Sequence, residues 1–419
     1  MPRLTKQAGQ VAQTYYLMTA MFTLSMSLIW GINTLFMLGA GLDILQIFIA
    51  NAVFTAAMAL LEIPTGVLAD TKGRRLSFLL SVVVLSTGTF GLVWSFMMRH
   101  PMAVFVCWSV WLGLGFTFYS GAAEAWVVDA LKGAGYDGPL DWLFAKTGMI
   151  SSSAMLIGTV LGGILATHHL TVPYLLRGVL LIGLFALAYA RMFDEGFTVK
   201  PLKWRDVPRE MQRMARVSIR FGWNRVPVRL LVLCGAVQSG FIWWGWYAWQ
   251  PYFLELLGKD APWIAGVIGA FTSLATLLGN WLVDRLRRVC SRRTTMLAGA
   301  ALLFSVGAIL TGVFHSFWPA VVVFLLTMLA MGIFTPVKQA ALHDLIPSEQ
   351  RASVISFDSL VGSLGGVVGQ PGLGWLAKTR GIGPGYIVGG AFSLLALPLL
   401  WLLRGRPDGA DDVKCVPEK

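Results

Sequence analysis

Charge is scarce in this chain. Of its 419 residues only 13% are Asp, Glu, Lys or Arg, while 56% are apolar and the mean hydropathy is +0.69. A soluble domain of this length needs far more charge to cover its surface. Histidine is limited to five residues and cysteine to four, Cys107, Cys234, Cys290 and Cys415. Their spacing matches no zinc-ligand pattern, so neither a metal site nor a disulfide framework is expected. There is no nucleophile–base pair and no nucleotide-binding loop, which argues against an enzyme. No cofactor is expected.

What the sequence has instead is apolar runs of about 20 residues, the length that crosses a hydrocarbon core about 30 Å thick. In lipid each backbone N–H must be satisfied within its own segment, so such runs are helices. Twelve spans are predicted: 14–38, 44–69, 76–98, 102–130, 142–167, 173–193, 228–256, 262–283, 294–314, 318–345, 353–378 and 384–403. The polar start, Met1 to Gln13, leads into an uncleaved first helix. The net charge of +12 could suggest a nucleic-acid partner, but the basic residues cluster in alternate loops. Of 33 Lys and Arg, all but Arg99, Arg177, Lys259, Lys378 and Arg380 fall on one side. That asymmetry is the positive-inside pattern. It implies a multi-pass protein of the bacterial inner (plasma) membrane, with both termini cytoplasmic, the bilayer as partner and no nucleic acid.

The two halves repeat. An offset of 214 places Trp30-Gly31 on Trp244-Gly245 and Asp70 on Asp284, 215 places Asp129 on Asp344, and 211 places Gly158 on Gly369. The expected fold is therefore an all-α membrane protein of two pseudo-symmetric six-helix halves. Its domains are an N-terminal bundle (1–193), a cytoplasmic linker (194–227), a C-terminal bundle (228–403) and a tail (404–419). In the linker Arg205, Arg209, Arg213, Arg216 and Arg220 recur at helical spacing opposite Trp204, Val207, Met211, Met214 and Phe221. This predicts an amphipathic helix lying on the anionic inner leaflet.

Between spans 2 and 3 stands Gly66-Val-Leu-Ala-Asp70-Thr-Lys-Gly73-Arg74-Arg75-Leu76, preceded by Glu62-Ile-Pro-Thr65. A degenerate copy, Asn280-Trp-Leu-Val-Asp284-Arg-Leu-Arg287-Arg288, follows span 8. The first run resembles the signature loop of the major facilitator superfamily (MFS), and Glu62–Thr65 is similar to its bacterial efflux branches. The resemblance implies the MFS fold and secondary transport of a small molecule by alternating access, here by a monomer. It also implies that Gly66, Asp70, Gly73, Arg74, Arg75, Asp129, Asp284 and Asp344 form a cytoplasmic gate. In that reading Gly66 allows close helix packing, Gly73 a tight reversal, and Arg74 and Arg75 pair with Asp70 and Asp129. The chain departs from the family's antiporter pattern in two places. It has no arginine in span 4, and Gly158-Thr-Val-Leu-Gly162-Gly163 lacks the expected proline. A Gly-rich run, Gly362 to Gly372, lies in span 11 instead and reads as helix packing.

Ionisable groups inside spans are costly and so are functional candidates. Glu124, about two turns from the end of span 4 among Gly, Ala and aromatic residues, is expected to be desolvated and able to carry a proton. Glu62 and Asp358 come next, whereas Asp43 and Glu255 lie near the outer ends and can simply be solvated. For substrate binding, span 1 offers Trp30 and Asn33 and span 7 offers Gln238 and Trp244. Aromatic walls would suit a flat or cationic lipophilic compound. The leading expectation is proton-driven efflux of a small amphipathic compound, powered by an ion gradient. The alternatives are a proton symporter importing a metabolite and a non-transporting membrane sensor or assembly factor.

Overall fold

The computed structural model describes residues 5–194, 209, 212, 216, 218–290, 292–347 and 350–405. The described residues are helical throughout apart from short connections. Ten helices are long and apolar enough to cross a membrane, and a bent pair adds an eleventh. That pair is α1 (Lys6–Trp30) and α2 (Asn33–Gly39), which meet at 51°. Then follow α3 (Ile44–Lys72), α4 (Arg74–Met97), α5 (Met102–Tyr119), α6 (Ala122–Gly133), α7 (Asp141–Ala166) and α8 (Val172–Arg191). After a π-helical turn, Ser218–Trp223, come α9 (Val226–Leu257), α10 (Pro262–Val289), α11 (Arg293–Val313), α12 (Phe317–Leu345), α13 (Arg351–Arg380), α14 (Ile382–Ser393) and α15 (Ala396–Arg404). At 30 residues α13 has the length of a span. It is not among the ten because glycine, serine and Asp358 dilute its apolar content. The predicted linker helix lies largely outside the described residues. Of its arginines, Arg209, Arg216 and Arg220 are exposed.

Local chemistry sets several helix ends. At the start of α3, Asp43 and Gln46 form a reciprocal capping box. The Gln46 N–H donates to Asp43 Oδ1 at 2.9 Å and the Asp43 N–H to Gln46 Oε1 at 3.0 Å. Pro173 and Pro227 occupy the first turns of α8 and α9, where no N–H is missed. Span 4 is broken where Gly121 adopts φ +72°, so α6 begins anew inside the apolar segment.

The described residues fall into two compact units. Unit 1 takes those of Met1–Leu42, Val53–Glu210 and Ala261–Ala270, and unit 2 those of Asp43–Ala52, Met211–Asp260 and Phe271–Lys419. In unit 1, α1 lies directly on α7. A Cβ at Gly158 would collide with Ser27 Oγ, and one at Gly162 with the Leu28 carbonyl. Ser27 Oγ also donates to the Ala154 carbonyl at 3.1 Å, so positions 154, 158 and 162 form one contact face. The start of α10, which belongs to unit 1, meets the same helix, with Gly163 against Gly266. Unit 2 repeats the device with α9 on α13. There Gly365 abuts the Ala236 carbonyl and Gly369 the Gly240 carbonyl. The repeat read at an offset of 211 is thus a repeat of packing: 154 and 158 in α7 correspond to 365 and 369 in α13. In lipid there is little hydrophobic drive between helices, so close backbone approach through small residues supplies the attraction.

Gly73, between α3 and α4, has φ +106° and ψ 149°, a region open essentially to glycine alone. A Cβ there would also strike the Asp194 carboxylate. Gly73→Ala is expected to cost about 1–3 kcal/mol, read as a lower Tm of the purified protein in detergent. An unchanged Tm would contradict the assignment.

Candidate functional site

The reversal at Gly73 gathers the charges of the predicted gate loop. Arg74 and Arg75 open α4, where the helix dipole disfavours cations. Two carboxylates offset this. Asp70 pairs with Arg74 across one turn at 2.6 Å, and Asp194 Oδ1 accepts from the Arg75 N–H at 2.9 Å. The Arg75 guanidinium donates to the Tyr189 carbonyl at 2.8 Å and lies over the rings of Tyr189 and Phe193. The loop is therefore tied to the end of α8. Asp129 forms no ion pair with either arginine, contrary to the sequence expectation: Arg74 pairs with Asp70, and Arg75 with the Tyr189 carbonyl. Gly66 also differs from expectation: it is exposed, and a Cβ there would meet nothing within 4 Å. Asp194 was not singled out from the sequence, where it is simply the first acid after span 6.

The equivalent corner of unit 2 is closed differently. Arg293 opens α11 as Arg74 opens α4, and it binds Asp344 near the end of α12. Arg225 and Arg351 donate to the Leu345 and His343 carbonyls, capping the end of that helix. Asp284 is exposed and has no ion pair among the described residues.

The proton-site candidates separate. Glu124 is exposed at the protein surface, in the first turn of the short helix that follows Gly121. It lies close enough to Tyr15 and Tyr119 to act on them electrostatically. Glu62 is also exposed. Asp358 is different. It sits in α13 with its side chain 17% exposed, and Lys338 of α12, 12% exposed, places Nζ 2.8 Å from Oδ1 and donates to Oδ2 at 2.9 Å. From α9, Gly235 closes over the pair, and a Cβ at that position would run into Lys338 Nζ. Positions 358, 362, 365 and 369 are spaced 4, 3 and 4 apart, so the glycine face of α13 carries Asp358 toward α9. From the sequence, Lys338 reads as one more positive charge at a helix end. The detectable signal was its position, seven residues inside α12.

Of the predicted binding residues, Trp30 and Asn33 belong to unit 1 and Gln238 and Trp244 to unit 2. Asn33 is half-buried and accepts from the Tyr174 hydroxyl at 2.8 Å. Trp30, also half-buried, ends α1 at the bend. Trp244 is fully buried inside unit 2 against Phe48, Phe241 and Tyr386, so it is part of the core rather than an open aromatic wall. Gln238, 2% exposed, has no hydrogen-bond partner for its amide nitrogen among the described residues. Arg177, counted from the sequence only as an outward charge, is 2% exposed in α8. Its Nη2 lies 3.5 Å from Met26 Sδ, and no carboxylate pairs with it among the described residues.

Asp43 is not merely solvated. Besides capping α3 it binds Lys378 of α13 at 2.9 Å within unit 2. Partial burial works against the charged carboxylate, but the bonds from Gln46 and Lys378 outweigh it and hold its pKa below the ordinary value. A depressed acid stabilises above its unfolded pKa, about 3.9, and that contribution is lost as pH falls through the folded value. The Tm difference between the wild type and Asp43→Asn is therefore expected to be constant above about pH 5 and to vanish on acidification. A difference that grows toward low pH would contradict this.

A sequence profile described as Major Facilitator Superfamily matches residues 15–291 and 261–414. The chain is 23% identical over 411 residues to the "Uncharacterized MFS-type transporter YxaM" of Bacillus subtilis strain 168, covering 97% of this chain and 98% of that one. It is 27% identical over 196 residues to the "Cis,cis-muconate transport protein" of Acinetobacter baylyi, covering 43% and 45%. The fold is similar to that of the nucleoside transporter NupG, with TM-score 0.76, 10% identity and coverage of 96% and 100%. With its helical architecture, glycine-packed repeats and charged reversal loop, this chain belongs to the major facilitator superfamily and is a membrane transporter, not an enzyme.

Proposed function

We propose that this chain is a proton-coupled carrier for a small organic solute in the bacterial plasma membrane, with both termini cytoplasmic. The observation that carries the reading is the Lys338–Asp358 pair, a carboxylate held by an ammonium, each seven residues in from an end of its helix, α12 or α13. Such pairs are costly in a membrane and mark ion pathways. Asp358 is the group that takes the proton, and Glu124, beside Tyr15 and Tyr119, is the second candidate. The Asp70–Arg74 pair, with Asp194 and Arg75, holds the loop conformation on which a cytoplasmic gate would act.

The scarcity of charged groups favoured export of an amphipathic compound. Two observations favour the other reading, symport of a metabolite: Trp244 is core rather than aromatic wall, and a lysine is present inside the spans. Proteoliposomes under an imposed pH gradient, screened with lipophilic cations, antibiotics, sugars and organic acids, test both. Substrate-linked proton entry supports symport, and proton release supports export. Asp358→Asn is expected to abolish gradient-driven accumulation while substrate exchange without a gradient persists, and Glu124→Gln is the comparison. Full gradient-driven flux in Asp358→Asn would remove Asp358 from the coupling role.

A further inference from the structure

We infer that Lys338 is a binding site for the carboxylate of an organic acid substrate, occupied by Asp358 when the substrate is absent. The inference deepens the proton-coupled reading and rests on it for the exchange step. A lysine inside a membrane helix needs a counter-charge. Here the counter-charge is an aspartate two helical elements cannot hide completely, since both side chains keep 12–17% exposure. One carboxylate oxygen, Asp358 Oδ1, is within ion-pair distance yet accepts no well-formed hydrogen bond, so the pair is not fully satisfied. Gly235 puts no side chain between α9 and Lys338, so Nζ lies directly against the α9 backbone, and Asp358 is the one carboxylate paired with it among the described residues. One turn along α9, Gln238 is 2% exposed and its amide nitrogen is an unused donor. An ammonium and an unpaired amide N–H are the kinds of donor that bind an organic carboxylate.

Charge balance makes the exchange specific. With Lys338 protonated and Asp358 ionised the site is neutral. If a substrate carboxylate replaces Asp358 on Lys338, neutrality is kept only when Asp358 takes up one proton. One proton therefore accompanies each carboxylate bound at this site, and neither state leaves an uncompensated charge in the membrane. The other groups around the pair do not supply this charge. Cys234 flanks Lys338 from α9. Arg229, further along α9, lies over the Trp223 ring, and Arg220 stands on the π-helical turn that packs against α13. The one titratable side chain of α14, Tyr386, packs among Trp244 and Tyr252.

The test is direct binding to the purified full chain in detergent at fixed pH without a gradient, using the monocarboxylates hexanoate and benzoate, with hexanamide as the neutral control. The monocarboxylates are expected to raise the Tm and the amide to leave it unchanged. Lys338→Gln is expected to weaken carboxylate binding at least tenfold, whereas Asp358→Asn, which frees the ammonium, keeps or strengthens it and flattens its pH dependence. If single variants are not recovered, Lys338→Gln/Asp358→Asn, which buries no lone charge, replaces Lys338→Gln in the comparison. Undiminished carboxylate binding without Lys338, or no wild-type response to either acid, overturns the site. Binding that needs Lys338, together with gradient-driven flux that ignores Asp358, keeps the site and rejects the coupling.

Discussion

Asp358→Leu alone is expected to destabilise the protein by about 3–5 kcal/mol, whereas Lys338→Leu/Asp358→Leu together recover most of that loss. The asymmetry follows from desolvation. The pair lies among α9, α12 and α13, with Lys338 12% and Asp358 17% exposed. Removing the carboxylate leaves the ammonium in an apolar setting with no counter-charge, while removing both replaces an ion pair by packing. The single and double variants therefore form a cycle in which the interaction, not the side chains, carries the difference. Thermal unfolding in detergent, followed by tryptophan fluorescence, reads it. Equal losses in the single and double variants would mean that the leucines themselves disrupt the packing and that the pair contributes little.

Gly369→Leu should have an effect as large, for a different reason. Its Cβ would overlap the Gly240 carbonyl across the α9–α13 contact, and backbone cannot step aside as a flexible side chain can. Overpacking of a core costs about 1–3 kcal/mol when side chains give way, and a backbone collision belongs in the rare class above about 4–5 kcal/mol. Gly162→Leu, against the Leu28 carbonyl, is the same experiment in unit 1. Gly372→Leu is the control, because a Cβ there meets nothing within 4 Å. Size-exclusion profile and Tm are the readouts: Gly369→Leu and Gly162→Leu should lose the monodisperse peak while Gly372→Leu keeps it. A Gly369→Leu protein as stable as Gly372→Leu would show that the helices are not held at this contact.

Most helices were legible before any coordinates. The predicted spans 44–69, 228–256 and 318–345 lie within α3, α9 and α12, because hydropathy over about 20 residues reports a local preference for lipid that tertiary packing does not override. The breaks were not legible. Trp30-Gly31 and Trp244-Gly245 read as one repeated feature, yet the chain bends after Trp30 while α9 runs straight through Trp244. The two glycines also meet different surroundings: Gly31 lies against Thr159 and Gly266, while the atoms nearest a Cβ at Gly245 belong to the Phe241 ring.

The site residues divide along the same line. Asp70, Gly73 and Arg74 interact within five residues of one another, so their arrangement follows from helix geometry and one glycine conformation. Asp194 and Lys338 act over long sequence distances, and nothing in their local sequence names a partner. For Trp244 and Glu124 the neighbours along the chain suggest one environment, whereas exposure depends on which face of the helix is turned inward.

By itself, then, the sequence determined the class of molecule, most of its spans and the reversal loop at Gly73, since these depend on composition, periodicity and local backbone freedom. Only the tertiary structure decided that Lys338 neutralises Asp358, that Asp194 caps α4 and that Trp244 is core. Those outcomes depend on the rotation of each helix about its axis, which is fixed by backbone contacts such as Gly369 on Gly240 and by no property that can be read along a single segment.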